Sequence, residues 1–90
     1  MSRVRTHPGE VLRTEFLAPL GLRRDKLANA IDVPANEIRE IVCERRSVTA
    51  DTALRLAKHF ETTPEFWLNL QLAYDASKAA MRAGKNPRVS

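Results

Sequence analysis

Two short stretches of helical periodicity, set three residues apart, constrain this chain more than any other feature. In the first, roughly Arg24 to Ile31, Leu27, Ala28 and Ile31 take the i, i+1, i+4 spacing of one buried face. Asp32-Val33-Pro34 makes a short break. In the second, about Ala35 to Cys43, Ile38, Ile41 and Val42 face inward, while Asn36, Glu37, Arg39, Glu40 and Cys43 lie elsewhere on the helix. Two short helices whose apolar positions pack them crosswise form a helix-turn-helix, in which the second helix enters the major groove of DNA. On spacing alone the same pair also fits two ordinary helices of a small bundle.

The flanking sequence is helical as well, and no stretch alternates apolar and polar residues long enough to read as a strand. Thr6-His7-Pro8-Gly9-Glu10 opens a first helix, with Thr6 or His7 as cap, Pro8 at the first helical position and Glu10 favouring the positive dipole end. Leu12 and Phe16 share a face, and Pro19 and Gly21 end the helix. Glu44 to Val48 is a polar loop. Thr49 caps a fourth helix, to which Ala53, Leu54, Leu56, Ala57 and Phe60 supply the apolar positions. Thr63-Pro64-Glu65 repeats the cap, and a fifth helix runs from about Pro64 to near Ala83, with Gly84 as its stop. The expected organisation is an N-terminal arm over 1–6, a domain over 7–83 and a tail over 84–90.

A chain of 90 residues has room for one domain. Its formal charge of +4 invites a nucleic-acid partner, but residues 22–46 hold six cations against five anions. Most of the excess lies in the ends: residues 1–5 carry +2 (Arg3, Arg5) and residues 76–90 carry +4 (Lys78, Arg82, Lys85, Arg88). Cys43, the single cysteine, suits a reducing compartment. No apolar run approaches the roughly 20 residues of a membrane span, and no apolar signal segment follows the N-terminus, so a cytoplasmic location and no membrane partner are expected. With no HExxH, no Cys/His cluster at zinc spacing and no glycine-rich phosphate loop, the reading is a non-enzyme without cofactor or metal.

The wording of three segments sharpens the reading. His7-Pro8-Gly9-Glu10-Val11-Leu12, Thr49-Ala50-Asp51-Thr52-Ala53-Leu54-Arg55-Leu56-Ala57 and Thr63-Pro64-Glu65-Phe66-Trp67-Leu68-Asn69-Leu70-Gln71 resemble, in order and spacing, the HigA-type (VapI-like) antitoxins. The resemblance covers about residues 7 to 75. It implies an all-α, five-helix, lambda-repressor-like helix-turn-helix domain with a longer C-terminal helix. It also implies a homodimer that binds operator DNA of its own operon, and a HigB-like toxin partner of the RelE-like, mRNA-cleaving kind. Arg23 and Arg24 stand where the family usually has a capping serine and often a glutamine. Asp32, Glu44, Ser47 and Glu61 stand where it often has glycine, which accepts a positive φ at less cost than other residues.

Asn36 and Arg39 are the candidates for base edges, since Asn pairs with adenine and Arg with guanine through two hydrogen bonds each. Glu37 is a candidate to accept from a cytosine amino group, or to repel phosphate. Glu40 is expected to pair with a nearby arginine. Arg24, Arg45 and Arg46 are candidates for phosphate, which positions the protein without reading sequence; Arg45-Arg46 also fits a solvated loop. On the fifth helix Phe66, Trp67, Leu70 and Tyr74 form one apolar side, and Leu68, Leu72, Ala76 and Ala79 a second stripe. The second stripe is expected to form the dimer interface, unless the first helix or a loop covers it. Two other functions stay open at this point: a stand-alone repressor without a toxin, and a protein-interaction module that has lost DNA binding.

Overall fold

The computed structural model describes residues 6–82. Arg3, Arg5, Gly84, Lys85 and Arg88 lie outside the described residues. Five helical segments follow one another. The first, α1, is a continuous run of Pro8–Val11, a π-helical stretch Leu12–Leu17, and Ala18–Leu20. Then come α2 (Arg24–Ile31), α3 (Ala35–Val42), α4 (Ala50–Phe60) and α5 (Pro64–Arg82). No strand occurs among the described residues.

The caps follow the sequence. His7 caps α1, its Nδ1 accepting the Gly9 N–H at 2.8 Å. Thr49 Oγ1 accepts the Thr52 N–H at 3.3 Å, and Thr63 Oγ1 accepts the Phe66 N–H at 3.1 Å. The π-helical stretch was not expected. It ends two residues before Pro19, whose ring would crowd the carbonyl four residues back in a regular α-helix. The wider turn relieves that clash, with the Ala18 N–H bonding five residues back to the Arg13 carbonyl.

Helices α1 to α4 all end in the same way. A residue just past each sits in the left-handed region: Gly21 (φ 62), Asp32 (φ 62) and Glu61 (φ 60) directly after the helix, and Glu44 (φ 65) one residue further on, after Cys43. The next N–H then closes on the carbonyl five residues earlier: Leu22 to Leu17 at 2.9 Å, Val33 to Ala28 at 2.9 Å, Arg45 to Glu40 at 2.8 Å and Thr62 to Ala57 at 2.9 Å. Three of the four positions where glycine was missed therefore keep the glycine backbone shape with another residue in place. Ser47 does not.

The core gathers Leu12 and Leu17 of α1, Leu27, Ala28 and Ile31 of α2, and Ile38, Ile41 and Val42 of α3, with Ala53, Leu56, Ala57 and Trp67 from the last two helices. Phe16 and Phe60 pack against it, their rings 4.8 Å apart. Helix α5 lies along α4, while α1 bridges α3 and α5. Where α1 meets α3, Gly9 allows the closest approach. A Cβ there would overlap the Ile41 carbonyl oxygen and stand 2.8 Å from its carbon.

One apolar position on α4 is a correction. Leu54 was assigned to the buried face with Ala53 and Leu56, yet it is 58% exposed. Residue 54 lies about 100° around the helix from Ala53, beyond the edge of the stripe that α5 and α2 cover.

Candidate nucleic-acid interface

The helix-turn-helix is present as α2, the turn Asp32–Pro34 and α3. Each helix has only eight residues, too few to be stable alone in water. Two arginines from neighbouring helices secure their C-terminal ends. Arg55 of α4 donates from Nη1 to the Ile31 carbonyl at 2.9 Å and from Nε to Asp51 Oδ2 at 3.0 Å. Arg13 of α1 donates from Nη1 to the Val42 carbonyl at 3.0 Å. A cation at the negative end of a helix adds to each bond. Neither arginine was singled out from sequence, because each serves a helix more than twenty residues away.

On α3, Ile38, Ile41 and Val42 are buried, which leaves Ala35, Asn36 and Arg39 on the exposed side, with Cys43 just past its end. Asn36 and Arg39 share one face, and Arg39 Nη1 lies 3.4 Å from Asn36 Oδ1. This contact is long and fully exposed, so both side chains remain available to base edges.

Glu37 does not share that face. Its Oε2 accepts the Thr52 hydroxyl at 2.8 Å, and Thr52 is buried at the start of α4. The carboxylate ties α3 to α4, which corrects the expectation that it faces DNA as a base reader.

The basic positions around the motif differ in how free they are. Arg24 is exposed at the first turn of α2, and Arg45 is exposed in the loop after α3. Arg46 donates from Nη2 and Nε to Glu40 Oε1, at 2.8 and 3.0 Å. That hydrogen bond lowers the Glu40 carboxyl below its ordinary value. The expected pairing of Glu40 with a nearby arginine is present, so Arg46 already has an acidic partner.

The loop from α3 to α4 is fixed from behind by a residue the sequence reading did not interpret. Gln71 is buried; its Oε1 accepts the Val48 N–H at 2.8 Å and its Nε2 donates to Asp75 Oδ1 at 3.0 Å. On the same side His7 packs edge-on against Tyr74, with ring centroids 4.6 Å apart. Burial lowers the His7 pKa, against a smaller opposing pull from Glu44 and Asp75.

The expected interface stripe on α5 is divided. Leu68 is half-buried against the core of its own chain. Helix α5 rolls so that Trp67 and Gln71 point inward and carry Leu68 with them. Leu72, Ala76 and Ala79 stay exposed, Leu72 at 66%. Among the described residues, no helix is long and apolar enough to cross a membrane.

No family model matches the chain. Individual proteins do. The chain is 52% identical over 73 residues to a virulence-associated protein I of Dichelobacter nodosus, a match spanning 81% of this chain and 68% of that one. Its fold is similar to that of the antitoxin GraA, with a TM-score of 0.90, 44% identity and coverage of 92% of this chain and 89% of the other. It is similar as well to the antitoxin HigA of Pseudomonas aeruginosa, solved with the higBA promoter. There the TM-score is 0.89, the identity 41% and the coverage 96% and 92% of the two chains. With these likenesses and a helix-turn-helix held by capped, cross-braced helices, the chain belongs to the HigA-type helix-turn-helix antitoxin family.

Proposed function

We propose that this chain is the antitoxin of a HigB/HigA-like module: it binds a RelE-like HigB-type toxin and, as a homodimer in the cytoplasm, represses its own operon. The observation that carries the DNA half is the exposed Asn36–Arg39 face of α3, on a helix anchored at one end by Arg13 and along its length by Glu37. The HigA and GraA relatives, solved with a promoter and an operator respectively, support the same use of the fold. Arg24 and Arg45 take backbone phosphates on either side of the groove, with Arg46 contributing less because Glu40 already holds it. The chain is a binding protein and not an enzyme.

The test has two arms. Mobility shifts with the DNA upstream of its own gene, at stated salt, should show a specific complex. Co-expression with the adjacent reading frame should yield a co-purifying complex and rescue growth from that product. Operator binding without rescue would leave a stand-alone repressor, and rescue without operator binding would leave a toxin-binding module.

A further inference from the structure

His7 stands where α1, α5 and the loop after α3 meet. Its Nδ1 accepts the Gly9 N–H at 2.8 Å, so that nitrogen carries no proton. The ring is 3% exposed and lies edge-on to Tyr74 of α5. Gly9 in turn sets α1 against the Ile41 carbonyl near the end of α3. A cavity of about 260 Å3 opens beside the ring and gives it room to leave the cap.

The charged groups around that cavity come from two other elements. The loop after α3 brings Glu44, Arg45 and Arg46, and α5 brings the Tyr74 phenol, Asp75, Lys78 and Arg82. On the ring's own helix, Glu10 is the acid of the first turn. Arg46 is already bonded to Glu40, and the Lys78 ammonium stands 5.6 Å over the Tyr74 ring. Burial opposes a proton on the imidazole most strongly, Glu44 and then Asp75 favour one, and Lys78 opposes it. Burial prevails, so the ring stays neutral at pH 6.5 and takes its proton only below it.

We propose that His7 is a proton-operated latch on α3: a proton on Nδ1 releases the α1 cap, turns the ring towards Glu44 and Asp75, and weakens operator binding. The proposal rests on the reading of the chain as an operator binder. Protonated Nδ1 and the Gly9 N–H are both donors, so the cap bond turns into a repulsion. An imidazolium is also poorly hydrated in so buried a place, whereas the cavity beside it offers two carboxylates. Both consequences reach α3. Gly9 loses the bond that fixes it against Ile41. Glu44 holds the left-handed backbone that lets the Arg45 N–H close on the Glu40 carbonyl, so a ring drawn to Glu44 disturbs the loop that carries Arg45. His7 is thus a positioning residue and not a DNA contact. Protonation elsewhere adds positive charge and strengthens attraction to phosphate, so a loss of binding on acidification runs against the general trend.

The experiment is fluorescence anisotropy of the full chain on the DNA upstream of its gene, at constant ionic strength, over a pH series between about 8 and 5. Circular dichroism at each pH reports whether the helices persist. Operator affinity of the wild type should fall towards the limit of about tenfold per pH unit for one linked proton, with helicity retained. His7→Asn still offers an acceptor to the Gly9 N–H but does not titrate, so it should keep its affinity on acidification. Glu44→Gln, which removes the stronger of the two attracting carboxylates, should shift the loss to lower pH. In NMR spectra of the chain without DNA, the Ile41 and Glu44 amides should shift with the midpoint of the His7 ring. Wild-type affinity that is flat or rises as pH falls, a loss that His7→Asn shares, or a loss that tracks helicity overturns the latch. If the wild type binds no operator at any pH, the functional reading fails instead. The amides then decide the latch: shifts that follow the His7 midpoint support it, and silent amides overturn it.

Discussion

Replacing Glu61 and Glu44 by glycine should stabilise the protein, and the size of the gain can be worked from the backbone. Both residues hold φ near 60° at a helix end, where an L-residue with a Cβ costs about 1–2 kcal/mol. Glycine removes that strain but brings roughly 0.5–1 kcal/mol of extra chain entropy to be lost on folding. The net gain is about 0.5–1 kcal/mol per site and about 1–2 kcal/mol for the pair. In a domain of this size that raises Tm by roughly 4–16 °C. Thermal unfolding followed by circular dichroism reads this directly, at one fixed protein concentration because the Tm of the proposed dimer would depend on it. Gly21→Ala calibrates the argument. Gly21 has φ 62 and a Cβ there would meet nothing within 4 Å, so its replacement measures left-handed strain less the glycine chain entropy, with no steric clash added. It should lower stability by about the amount that one glutamate replacement gains. If Gly21→Ala is costly while Glu61→Gly and Glu44→Gly leave Tm unchanged or lower it, the left-handed strain assigned to those ends is refuted.

Gly9→Ala should cost roughly 2–3 kcal/mol or more, seen as a Tm lower by ten degrees or so, because the added carbon must push α1 off the Ile41 carbonyl. Gln71→Leu should cost about 1–3 kcal/mol in denaturant unfolding, since it leaves the buried Val48 N–H without an acceptor. The His7 pKa is lowered from its ordinary 6.5, so the folded state favours the neutral ring whose Nδ1 accepts from Gly9. That contribution is fully present above pH 6.5 and is lost as pH falls through the lower folded value, so urea midpoints should decline there. His7→Asn, which keeps a capping side chain, should flatten that decline; an unchanged profile would move the effect to another group.

Much of this architecture was legible in the sequence because its signals are local. Capping residues at His7, Thr49 and Thr63, and the i, i+1, i+4 spacing in α2, each depend on neighbours within a turn or two. The resemblance to the family also marked Asp32, Glu44 and Glu61 as glycine-like positions, and the backbone keeps them so. What could not be read was set by distant contacts. Periodicity counts Leu54 among the apolar positions of α4 and Leu68 in a second stripe of α5, but only the packing of the helices decides which is covered. Glu37 looked like a base reader because it lies on α3, and its bond to Thr52 crosses fifteen positions. Arg13, Arg55 and Gln71 brace elements 23 to 29 residues away, and nothing in their own surroundings announces it.

The central claim is that the exposed face of α3 reads an operator through Asn36 and Arg39. Fluorescence anisotropy at one stated salt, with the DNA upstream of the gene and a scrambled duplex of equal length, tests it most directly. Each bidentate base contact is worth about 1–3 kcal/mol, so Arg39→Ala should weaken operator binding by roughly 5- to 150-fold and Asn36→Ala comparably. Binding to the scrambled duplex should change little, since the phosphate contacts proposed for Arg24 and Arg45 would remain. Equal binding of the wild type to both duplexes, or equal losses on both in the variants, would contradict the account.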